Sequence, residues 1–197
     1  MGAHEFLSRH WYRSLHMAGK NPSVLGFFTE TMLLSWIANN GCSAAGSEFQ
    51  SLNSVLLFDD SKPVIRHDSC SLYIPTSFSY RAVSAILVMA DSYRDKATIT
   101  AVQITISKTH SDSEAKFFAD WEWWHGSVGC STVRFRFLWI VEDVGQNPAI
   151  ESIQPVQRPL RGKTKVLCPG FERRYASVKD VSKDIGQALE KARTLAR

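Results

Sequence analysis

No apolar run in this 197-residue chain approaches the ~20 residues needed to span a bilayer, so nothing in the sequence reads as a membrane helix. Cysteine is sparse: Cys42, Cys70, Cys130 and Cys168 stand far apart, with no CxxC pair. That spacing argues against a local zinc knuckle and for reduced structural thiols, with two long-range disulfides as the alternative. There is no glycine-rich phosphate loop of Walker or Rossmann spacing, no HExxH and no G-x-S-x-G, which leaves a dinucleotide enzyme or a serine hydrolase without support. Internal repeats and low-complexity tracts are absent too. Residues 1–20 show no signal-peptide pattern, because His, Arg, Glu and Lys interrupt them. This N-terminal segment could derive from an expression tag or a truncation, and the fold argument leaves it aside.

What is present is ordinary globular composition: 44% hydrophobic and 21% charged residues, in a length that suits one domain without a disulfide or metal staple. The net charge is +4, unevenly spread. Residues 146–197 hold eleven Lys/Arg against five Asp/Glu, whereas residues 1–145 hold twelve against fourteen. The basic end includes Arg158, Arg161, Lys163, Lys165, Arg173 and Arg174. Such a stripe can neutralise phosphates and release counterions, which points to nucleic acid; a solvated basic surface is the plain alternative.

Hydrophobic periodicity orders the elements. Asn21-Pro22-Ser23 starts a helix carrying Val24, Leu25, Phe27, Phe28, Met32, Leu33, Trp36 and Ile37, and Gly41 stops it. Ser54 to Phe58 reads as a strand, residues 61–81 as loops with one short strand, and Ala82 to Ala90 as a buried strand. A polar turn, Asp91 to Lys96, leads to the β-rich run Thr98 to Ser107. Ser111 and Glu114 are spaced as a capping box. The helix they open carries Phe117, Phe118, Trp121 and Trp124, and ends at Gly126. Thr132 to Val141 is the clearest strand. Further strands are expected near 150–156 and 165–167, followed by a helix capped by Ser177 and Asp180 with Val178, Val181, Ile185, Leu189 and Ala192 on one face. The order over residues 22–142 is thus α-β-β-β-α-β.

Three local patterns fall on that order. Gly26-Phe27-Phe28-Thr29-Glu30 resembles the opening of the nuclease-like domain of Crinkler effectors and retrotransposon hot spot proteins. Ala82 to Val88 is similar to their hairpin strand. Gln103-Ile104-Thr105 through His110 resembles their Q-x-T…H signature, the most specific of the three. Tyr73-Ile74-Pro75 also suits the family. The resemblance covers residues 22–142 and implies a PD-(D/E)XK restriction-endonuclease-like core, an αβββαβ mixed sheet flanked by helices. It further implies magnesium as cofactor where the enzyme is active, since Mg²⁺ prefers hard oxygen ligands.

Carried over residue by residue, Glu30 matches the helix glutamate and Gln103 the third-strand metal position, so these two are the expected metal ligands. Thr105 stands where the plain motif has lysine, and Ser84 falls on the principal aspartate. His110 matches the family histidine, or in isolation a capping residue. Replacing the aspartate by serine leaves one matched carboxylate, too little charge to hold Mg²⁺ tightly. Asp59, Asp60, Asp68 and Asp91 are the candidates for a migrated ligand.

Trp121 and Trp124 suit core packing, with Trp123 the candidate exposed aromatic. Arg134 and Arg136 share one strand face and, with Lys108 and the basic end, make up the expected nucleic-acid contacts. The reading is therefore a three-part chain: residues 1–20, a nuclease-like core over 21–145, and a basic β/α extension over 146–197. Its expected function is a degenerate nuclease-like domain that binds DNA or RNA in the nucleus or cytoplasm. The alternatives are an active magnesium nuclease with a migrated carboxylate, and a non-catalytic effector module that binds a host protein.

Overall fold

The computed structural model describes residues 13–15, 17, 18, 20–44, 47–49, 52–59, 62–67, 69–77, 83–106, 112–145, 150–159 and 165–196. Helix α1 (Pro22–Asn40) starts where the sequence predicts. The Asn21 side chain accepts from the backbone N–H groups of Ser23 (3.1 Å) and Val24 (3.3 Å), satisfying two donors that the first turn leaves open. Gly41, at φ 72°, ends it by donating to Ile37 O. Strands β1 (Cys42–Ala44) and β2 (Ser47–Phe49) then form a small hairpin of their own.

The main sheet has seven strands in the order β3-β4-β5-β6-β7-β11-β8. They are β3 (Ser54–Phe58), β4 (Cys70–Pro75), β5 (Ala85–Asp91), β6 (Lys96–Thr105), β7 (Thr132–Val141), β8 (Ile150–Ile153) and β11 (Phe171–Ser177). Strands β3 and β4 run parallel, β4-β5-β6 form an antiparallel meander, and β6, β7 and β11 run parallel again. A parallel pair needs a crossover, and between β6 and β7 it is supplied by helices α2 (Ser113–Phe118) and α3 (Trp121–Ser127). Strands β9 (Val156–Pro159) and β10 (Lys165–Cys168) pair as a separate ribbon, and helices α4 (Val178–Val181) and α5 (Lys183–Ala196) close the chain.

Alternation of side chains along the strands divides the core in two. On one face Leu72, Leu87, Val102, Ile104, Leu138 and Ile140 pack beneath α1 and α5, meeting Leu25, Leu33, Ile37, Ile185 and Leu189. On the other face Ile86, Val88, Ile99, Phe135 and Phe137 pack against Phe117, Phe118 and Trp124. The protein is thus an α/β fold, a mixed sheet between helical layers.

Several expectations change in detail. The single helix over 111–126 is two, α2 and α3, with Ala119-Asp120 between them. The Ser177 and Asp180 capping box is present, but it caps the one-turn α4, and Ser182 intervenes before α5. Residues 171–177, which gave no strand pattern in the sequence, form β11 in the interior of the sheet between β7 and β8. Trp123 is half-buried against Trp124, with Lys62 Nζ 5.3 Å from its ring centroid. All four cysteines are free thiols. Among the described residues no helix is long and apolar enough to cross a membrane.

Candidate functional site

Strand β5 begins at Ala85, where the ladder with β6 starts, but the preceding residue still serves that ladder. Ser84 N donates to Val102 O at 2.8 Å, and Ser84 Oγ accepts from Ile104 N at 3.0 Å. A side-chain oxygen thus takes the place of the backbone carbonyl that a continued strand would present to Ile104. A hydroxyl accepts and donates at once. The Ser84 hydroxyl is thereby free to donate toward the carboxylate of Glu30, which stands in the third turn of α1 and whose pKa it lowers.

Around this pair lies an open cleft of about 390 Å³ between α1, β3 and the end of β4. Leu34, Ala38, Val55, Ile74 and Val83 supply its apolar wall. Thr31, Ser35, Asn39, Thr76 and Ser77 supply neutral polar groups, and Glu30 is the one ionisable side chain among the described lining residues. Burial pushes the Glu30 carboxyl above its ordinary value, and the Ser84 hydrogen bond only partly opposes this.

Gln103 lies elsewhere. Val102 and Ile104 belong to the core beneath α1, so Gln103 between them projects to the opposite face, in register with Trp139. It is buried, its Nε2 donates to Ile104 O at 3.2 Å, and its Oε1 has no partner among the described residues. Thr105 follows on the Gln103 face, half-buried at the end of β6. The cleft therefore joins Glu30 to Ser84 and does not include Gln103 or Thr105 in its lining. Asp59 and Asp91 do not line it either; Asp91 sits at the β5–β6 turn, where Arg94 N donates to it. His110, Lys108, Arg161, Lys163, Asp60 and Asp68 fall outside the described residues. Among those described, no group of three or more His, Cys, Asp and Glu side chains could hold a metal ion. One carboxylate beside one hydroxyl does not fit Mg²⁺, which calls for a hard, mostly anionic oxygen set.

The basic residues divide into paired and exposed. On the crossover face, Glu114 of α2 is 6% exposed at its side chain and accepts four hydrogen bonds from three residues. Arg158 Nη1 and Arg173 Nη2 each approach its Oε2 at 2.7 Å, Arg173 Nε bonds the other oxygen, and Trp139 Nε1 donates from 3.2 Å. Both guanidinium groups also stand within 6 Å of the Phe171 ring. On the opposite face Glu172 accepts from Arg136 Nε (3.0 Å) and Arg174 Nη2 (2.6 Å). Its burial would raise the carboxyl, but the two arginines outweigh that and hold it below its usual range. Arg134 and Lys165 are exposed.

The Glu114 cluster escapes a sequence reading. Glu114 fits the capping-box spacing, yet its carboxylate is taken by β9 and β11. The trace it leaves is the alternation of Phe171, Arg173 and Tyr175 on one face of a strand against Glu172 and Arg174 on the other.

No protein-family model, curated protein or solved structure matches this chain.

Proposed function

We propose that this chain is a nuclease-like, nucleic-acid-binding domain of the Crinkler and retrotransposon hot spot type, acting in the nucleus or cytoplasm, in which metal-dependent phosphodiester cleavage is impaired. The observation that carries the reading is that Glu30 and Ser84 line one cleft, where the Ser84 hydroxyl opposes the upward shift of the Glu30 carboxyl. The sequence register assigns these two residues, more than fifty positions apart, to one site, and their shared cleft supports that reading. The stretch β4-β5-β6-α2/α3-β7, an antiparallel meander followed by a parallel fourth strand, lends support, since a PD-(D/E)XK core contains such a stretch after its first helix; here β1, β2 and β3 stand between α1 and β4.

Impairment follows from the ligand set. At the aspartate position stands a neutral hydroxyl, already committed to Ile104 N and Glu30, and Gln103 faces away from the cleft. Binding to nucleic acid would then fall to exposed cations such as Arg134 and Lys165, because Arg136, Arg158, Arg173 and Arg174 are engaged with Glu114 and Glu172.

The test has two arms. Affinity for labelled single- and double-stranded DNA and RNA should fall steeply with salt, as counterion release requires. Calorimetric titration with Mg²⁺ or Mn²⁺ should give no tight binding to the natural protein and measurable binding to Ser84→Asp, which restores a second carboxylate beside Glu30. Nucleic-acid affinity that is absent or insensitive to salt would defeat the binding claim.

A further inference from the structure

We infer that the Glu30 cleft and the outer edge of β3 together form a docking site for an extended peptide of a protein partner, which lays a lysine or arginine side chain against Glu30 and Ser84. The inference is independent of the nucleic-acid reading and concerns a different ligand at the same cleft.

Among its described residues the cleft is electrostatically one-sided. Its described lining holds a single carboxylate and no cation, so among these residues a phosphate group would meet a negative charge and a cation would meet its complement. A cation restores balance for a half-buried anion. The carboxylate can accept several hydrogen bonds and receives one from Ser84, which leaves capacity for an ammonium or guanidinium group. The apolar wall of Leu34, Ala38, Val55 and Ile74 suits the aliphatic stem of such a side chain, whose charged head needs a polar end to reach.

The neighbouring strand supplies a place for the peptide backbone. Strand β3 begins the strand order, and among the described residues no strand pairs with its outer side. An edge of this kind presents unpaired N–H and C=O groups that can pair with an added strand. Val55 and Leu57, alternate residues of β3, are 42% and 71% exposed, an apolar surface that an added strand would cover. Val55 also lines the cleft, so edge and anionic pocket are continuous.

The experiment selects a random dodecapeptide display library on the immobilised protein and counts retention on Glu30→Gln beside it. Selected peptides should share one lysine or arginine flanked by β-branched residues, and should bind Glu30→Gln about tenfold more weakly, the loss of one charge-assisted contact. They should also bind Leu57→Lys more weakly, since that change places a like charge on the edge. In parallel, n-butylammonium chloride titrated into ¹⁵N-labelled protein should shift the Glu30, Ser84 and Val55 amides, and n-butanol should not. Selected peptides without a shared basic residue, equal retention on Glu30→Gln, or identical shifts with both small probes would each overturn the inference. Salt-dependent nucleic-acid binding should persist in Glu30→Gln, so failure of one reading leaves the other measurable.

Discussion

The Ser84 hydroxyl joins two parts of the fold at once, accepting from Ile104 N of β6 and donating to the Glu30 carboxylate of α1. One small side chain thereby ends a hairpin ladder and meets the one ionisable group among the described residues of the cleft.

Glu30 makes stability depend on pH. Its folded-state carboxyl titrates above the ordinary value, so the native state holds that proton more tightly than the unfolded chain. Stability from this group is therefore intact below the ordinary glutamate range, and declines as pH rises through the raised value. Glu30→Gln removes the ionisation. The variant should gain stability over the natural protein near pH 7, and the gain should vanish at about pH 4 or below. Urea unfolding at both pH values reads this; an equal difference at both would refute the assignment.

Ser84→Ala should destabilise the protein by about 1–3 kcal/mol, because Ile104 N is left without its acceptor in a buried position. It should also raise the Glu30 carboxyl further, since the one opposing hydrogen bond is gone. Denaturant midpoints together with the ¹³C titration of the Glu30 carboxyl would show both effects. A carboxyl that titrates as in the natural protein would contradict the contact.

Glu114→Gln should be among the most damaging single changes. It keeps the side-chain shape but leaves Arg158 and Arg173 facing each other with no anion between them. Breaking a buried pair costs about 3–5 kcal/mol, and the partial exposure of the two arginines brings the expectation to about 2–4 kcal/mol. Thermal unfolding measures it. A loss under 1 kcal/mol would mean that the cluster contributes little.

Gly186→Ala opposes two effects. Alanine favours a helix interior by about 1 kcal/mol over glycine. At this position, however, a Cβ would stand 2.8 Å from Lys179 Cα, where α4 and α5 pack. A backbone atom cannot move aside cheaply, so overpacking of about 1–3 kcal/mol should win and the variant should melt lower.

How far the sequence disclosed this structure depends on where the signals were local. The α1 boundaries were legible because Asn21 and Gly41 act within a turn, and β7 because Phe135 and Phe137 alternate with Arg134 and Arg136. The meeting of Glu30 and Ser84 was legible only through the family resemblance, since nothing in their spacing joins them. The side of the sheet that Gln103 occupies was not legible: it turns on the register of β6 against β5, and a one-residue difference moves the side chain to the other face. Strand β11 was hidden by Arg173 and Arg174, which look like a surface stripe until the tertiary fold brings Glu114 to Arg173 and sets Arg136 beside the Glu172–Arg174 pair.

The central claim, a nuclease-like core whose cleavage chemistry is impaired, is tested most directly by incubating the natural protein with labelled single- and double-stranded DNA and RNA in Mg²⁺ or Mn²⁺, with Glu30→Gln alongside. The account predicts no metal-dependent products from either protein. Cleavage by the natural protein that disappears in Glu30→Gln would contradict it.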